Sequence, residues 1–82
     1  MLHARQINHG QSEIWVEADG KEVTQRRTLA TNEVVNVTRR LCSSEVFESF
    51  YNGYYRVVGN ITTLNVPNLG EIVSELRLKP LE

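Results

Sequence analysis

From Ser12 to Ala18 the side chains alternate, with Ile14 and Val16 on one side and Glu13, Trp15 and Glu17 on the other. A period of two is the pattern of a strand with one face buried. Asp19-Gly20 comes next, a pair favoured in type I′ turns because both central positions need positive φ. Lys21 to Leu29 then returns with Val23 and, less regularly, Leu29 as its apolar members. This antiparallel hairpin fixes the problem for the rest of the chain. Two strands are marginal in water, so the remaining residues must extend the sheet and cover its Ile14/Val16 face.

Thr31 is placed to cap a helix, and Glu33 in its first turn suits the helix dipole. Val34, Val37 and Leu41 recur at helical spacing, with Arg39 and Arg40 on the solvated side. At roughly 100° per residue, Phe47, Phe50 and Tyr51 project to nearly the opposite side from that stripe. One straight helix would expose one of the two patches, so the sequence predicts a break at Ser43-Ser44, with Ser44 capping a second helix. Asn52-Gly53 has two readings. It either stops that helix or turns a hairpin between Val46–Tyr51 and Tyr54–Val58; Glu45 and Glu48 tilt the choice toward the helix.

Tyr54–Val58 and Ile61–Val66 around Gly59-Asn60 read as a second hairpin. Asn68, with Glu71 three residues on, opens a last helix whose stripe is Leu69, Ile72, Val73 and Leu76 and which Pro80 ends. Residues 1–11 are polar without a period and read as a flexible arm or an added edge strand, ahead of a single domain over residues 12–82. The expected fold is α+β, in the order β-hairpin, helix, β-hairpin, helix. It has a four-stranded, mainly antiparallel sheet with the helices packed on one face.

At 82 residues there is room for one core and little beyond it. The nine Lys and Arg against ten Asp and Glu leave a net charge of −1, whereas a protein built to neutralise phosphates is usually strongly basic. Such balance favours self-association, so a homodimer is one expected assembly. Cys42 is the only cysteine, which excludes an intrachain disulfide and a cysteine-based zinc site and fits a reducing compartment. The apolar runs fall well short of a membrane span, and the opening residues lack a signal peptide's apolar stretch. The expected location is the cytoplasm, with no membrane partner.

No catalytic constellation stands out. His3 and His9, the two histidines, fall in the stretch read as a loose arm, where a general base is poorly held. Cys42 follows the apolar side of the first helix and reads as a small buried hydrophobe. Glu45/Glu48 and Glu71/Glu75 are spaced for one helical face, which is ordinary for solvated carboxylates. Gly59 and Gly70 belong to no phosphate-binding loop. The expectation is a non-enzymatic protein with neither cofactor nor metal.

Five of the chain's six aromatic residues lie between Phe47 and Tyr55. Phe47 and Phe50 read as core. Tyr51, Tyr54 and Tyr55 bracket a turn and carry hydroxyls that need partners or water. With Arg56 beside them they form the residue types that dominate interface hot spots. The expected contact surface for a larger protein or complex is therefore Tyr51, Tyr54, Tyr55 and Arg56, with Trp15 extending it. The alternative is a nucleic-acid-binding surface of Arg26, Arg39 and Arg40 beside stacking rings. A small, motif-free α+β domain of this character resembles, in general terms only, the accessory proteins of phages and mobile elements that inhibit host machinery by occlusion, anti-CRISPR proteins among them.

Overall fold

A computed structural model describes residues 1–18 and 22–81. Strands β1 (Leu2–Gln6), β2 (Gln11–Ala18) and β3 (Glu22–Ala30) are followed by helices α1 (Thr31–Leu41) and α2 (Ser44–Tyr54). Then come β4 (Thr62–Leu64), α3 (Leu69–Leu76) and the two-residue β5 (Lys79–Pro80). The fold class is α+β as expected, but the sheet has five strands in the order β4-β1-β2-β3-β5, every neighbouring pair antiparallel. Three helices accompany it, so the expected four strands and hairpin-helix-hairpin-helix order are corrected.

The expected hairpin is present as β2 and β3, although its Asp19-Gly20 turn lies outside the described residues. Ile14 is fully buried, and Glu13, Trp15 and Glu17 share the other face. A register shift between Val16 and Glu17 leaves Val16 opposite Gln25 and Glu17 opposite Val23. This extra residue moves Val23 to the face opposite Leu29, which explains the irregular alternation of that strand.

Residues 1–11 are neither an arm nor an edge. β1 is hydrogen-bonded to β2 on one side and to β4 on the other. Leu2, Ala4 and Gln6 are buried in alternation with half-buried His3 and Arg5. Asn8 makes the tight connection, its Oδ1 accepting from the Gly10 and Gln11 amides at 2.9 Å each, an Asx turn.

One face of the sheet carries Leu2, Ala4, Ile14 and Leu29, and the three helices pack on it. Val34, Val35 and Val37 of α1, Phe50 and Tyr54 of α2, and Ile72 and Leu76 of α3 complete the core with Leu64 and Leu78. The expected break between the first two helices is there, because α1 ends at Leu41 and Ser43 caps α2 by accepting from the Val46 amide. The cap is Ser43 instead of Ser44. Thr31 likewise does not cap α1. It is buried in the first turn, and its hydroxyl bonds the Ser12 hydroxyl at 2.8 Å.

The second hairpin is corrected too. Asn52-Gly53 neither turns nor stops the chain, since α2 continues through it to Tyr54. Gly53 lies close to β4 there, and a Cβ would come within 3.2 Å of the Thr62 hydroxyl, a tight contact that Thr62 would have to ease. Residues 55–61 form a loop with a turn closed by the Asn60 amide on the Val57 carbonyl and with Gly59 at φ +90°. Only Thr62–Leu64 of the expected second strand pairs, and its partner is β1. α3 ends at Leu76 because Arg77 takes the left-handed conformation, well before Pro80. Pro80 sits in β5, which pairs with Gln25 and Arg26 at the β3 edge, a position a strand proline tolerates. No helix among the described residues is long and apolar enough to cross a membrane.

Candidate functional site

α2 has two aromatic rows with different fates. Phe50 and Tyr54, four apart, face the sheet and stack with centroids 4.9 Å apart. Phe47, Tyr51 and Tyr55, also four apart, lie on the flank of the helix. Their neighbouring rings are 5.5 and 4.8 Å apart, the second pair stacked and nearly parallel. Residues at i and i+4 share one helix face, so the flank row is a continuous ladder. Phe47 and Tyr51 are half-buried and Tyr55 is 44% exposed.

The short α1–α2 junction determines what meets this ladder. With only Cys42 and Ser43 between the helices, Arg39 in the last turn of α1 returns over the first turn of α2. Its guanidinium carbon lies 5.2 Å from the Phe47 centroid, within cation–π range. At the far end Arg56 follows the helix directly. The result is an open groove of about 410 Å³ lined by Arg39, Phe47, Glu48, Tyr51 and Arg56, among others. Two cations, one carboxylate and a wall of rings make it suited to flat or apolar groups carrying negative charge.

Of the expected contact residues, Tyr51 and Arg56 line this groove and Tyr55 stacks on Tyr51 beside it, and Arg39 joins them from the set expected to hold nucleic acid. Tyr54 does not. It is fully buried, so its expected role as a partner contact is corrected to a core role. Its hydroxyl bonds that of Ser12, and burial pushes its pKa upward against the lowering effect of the Ser12 and Thr31 hydrogen bonds. Phe47, expected in the core, is half-buried, packing against the core on one side and walling the groove on the other. Its spacing with Tyr51 and Tyr55 was the available signal.

The remaining arginines are dispersed. Arg40 turns toward α3 and pairs with Glu75 at 3.2 Å. That pair raises the Arg40 pKa through hydrogen bonding and charge and holds the Glu75 carboxyl below its usual range. Arg27 projects to the helix side, donating to the Leu76 carbonyl at 2.8 Å. Arg26 lies on the opposite, helix-free face, directly across from Trp15. No single basic patch of Arg26, Arg39 and Arg40 is formed.

Trp15 belongs to that second face. Its ring stacks on His3 with centroids 5.6 Å apart, and its Nε1 donates to Glu17 at 3.4 Å. His3 is held in β1, not in an arm. Its Nδ1 is 3.0 Å from the Thr63 hydroxyl, and its Nε2 stands 3.4 Å from Glu17, an ion-pair separation without hydrogen-bond geometry. Among the described residues no group of three or more His, Cys, Asp or Glu is arranged to hold a metal. Cys42 is half-buried against the core, and burial pushes its thiol pKa upward. Its thiolate fraction at neutral pH is therefore reduced. Alkylation by iodoacetamide is expected to run several-fold slower than for cysteine in an unstructured peptide, rising to the peptide rate in denaturant. Equal rates in the native protein would contradict this.

No family model, curated protein or solved structure matches the chain.

Proposed function

We propose that the protein is a non-enzymatic binding module that docks on a larger protein through the Arg39–Tyr51–Arg56 groove and acts by occlusion. The observation that carries this reading is the convergence of two arginines, from the end of α1 and the loop after α2, on one partly exposed aromatic ladder. Tyrosine and arginine are the residues in which interface energy concentrates, and a partly sheltered cleft excludes water from such contacts. The wide dispersion of the basic residues favours a protein partner over nucleic acid. With the lone free cysteine, a cytoplasmic setting fits best. The general character is that of the small inhibitors carried by phages and mobile elements.

Affinity capture from a bacterial lysate, with and without nuclease, tests the reading. A discrete protein that survives nuclease is expected. Tyr55→Ala and Arg56→Ala alter exposed side chains and should leave the thermal midpoint within a few degrees. Each is expected to weaken the captured complex by about 2 kcal/mol, or roughly 30-fold in Kd. Recovery only of nuclease-sensitive material, lost again in Arg39→Ala, would transfer the groove to single-stranded nucleic acid. Full retention by both groove variants would place the contact elsewhere.

A further inference from the structure

A second groove runs along the other flank of α2, beside the sheet edge. It has a volume of about 320 Å³ and is lined by Glu45, Val46 and Phe50 of α2 and by Thr62, Thr63 and Leu64 of β4, among others. β4 is the terminal strand of the sheet on this side and pairs only with β1. The main-chain groups on its outer side are therefore unpaired, and no loop or side-chain hydrogen bond among the described residues reaches them. Natural sheets blunt such an edge with brevity, charge, proline or a covering element, and β4 has the first of these at three residues. Here the edge sequence Thr62-Thr63-Leu64 contains no charge or proline, and α2 stands beside it with a trough between.

We propose that this edge is a strand-addition site, in which an extended segment of a partner protein pairs with β4 and lays alternate side chains into the trough against α2. The site is distinct from the Arg39–Tyr51 groove and does not depend on it. The main chain of β4 supplies affinity through ladder hydrogen bonds, and the trough supplies selection. Leu2↔Leu64 and Ala4↔Thr62 are the paired positions whose side chains face the helices, whereas Thr63 pairs with His3 and faces away. Side chains of an added strand follow the same alternation. Its inward residues meet half-buried Val46 and Thr62, above the buried Phe50 and Leu64, which favours small or β-branched apolar groups. Glu45 is the one charged residue lining the trough, so a Lys or Arg at the matching end completes it. The same charge disfavours a second copy of this chain as the occupant, since two such edges pair without any cation to answer either Glu45.

Selection from a displayed library of random decapeptides, followed by amide-shift mapping of the best peptide on the labelled protein, tests the proposal. Enriched sequences are expected to alternate apolar residues and to carry a basic residue near one end. Shifts should centre on Thr62–Leu64 and on Val46 and Phe50. N-methylation of the peptide amides that face β4 leaves the protein untouched and is expected to weaken binding at least about tenfold, through loss of the ladder hydrogen bonds. Glu45→Lys, at an exposed position, should weaken it several-fold and reverse the charge preference on reselection. No enrichment, mapping to the Tyr51 groove, or equal binding of the N-methylated peptide overturns the proposal. So does concentration-dependent movement of the β4 amides without peptide, which would assign the edge to self-association.

Discussion

Tyr54→Ala is expected to destabilise the protein by about 3–5 kcal/mol, the range for truncating a large aromatic core residue. The ring is fully buried and stacked on Phe50. Its removal leaves a cavity between α2 and the sheet and takes from the Ser12 hydroxyl one of its two partners. For 82 residues a total stability of about 4–12 kcal/mol is typical, so the loss is about a quarter of the whole or more. Urea titration followed by circular dichroism reads it directly. Tyr54→Phe separates the ring from its hydroxyl. Ser12 and Thr31 still bond each other at 2.8 Å, and the cost should fall to about 1 kcal/mol. Tyr55→Ala, one residue on, should stay within about 0.5 kcal/mol of the parent. If Tyr54→Ala costs under 1 kcal/mol, the tyrosine is not the keystone of the α2–sheet contact.

The contrast between these neighbouring tyrosines shows where sequence pattern stops informing. Periodicity identified the β2–β3 hairpin, because Ile14 and Val16 alternate cleanly with Glu13, Trp15 and Glu17. It also located the helix break at Ser43-Ser44, because no single helix can bury stripes on opposite sides. It failed for β1, where one of the three inward positions is Gln6, a polar residue that hides the alternation of Leu2 and Ala4. α2 passes through Asn52-Gly53, and the glycine there sits close against Thr62, a contact that exists only in the tertiary structure. β4 and β5 are three and two residues long, and their pairing partners are distant in sequence. The candidate groove was half legible. Tyr51 and Arg56, with Tyr55 stacked on Tyr51, come from one short stretch of sequence and stay together, whereas Arg39 arrives only because the α1–α2 junction is two residues long.

Gln6→Leu is expected to cost about 2–4 kcal/mol, despite matching the buried volume and adding apolar surface. The Gln6 amide is 1% exposed and donates to both the Tyr54 and Tyr55 carbonyls, at 2.8 and 2.9 Å. These are among the last carbonyls of α2, which the helix itself leaves without donors. A leucine leaves two shielded acceptors unmet, at about 1–2 kcal/mol each. The Gln6 carbonyl also accepts from the Gly59 amide at 3.0 Å, so the same residue ties both ends of the 55–61 loop to the central sheet. That coupling carries a consequence for binding. Tyr55 and Arg56 owe their placement to this loop, and releasing it should weaken partner capture more than the lost stability explains. Hydrogen exchange of residues 55–61 is the discriminating measurement. Faster exchange confined to that loop, at temperatures where the core remains protected, is expected in Gln6→Leu. Uniform acceleration across the sheet and helices would instead make Gln6 a general stability residue, with no special hold on the site.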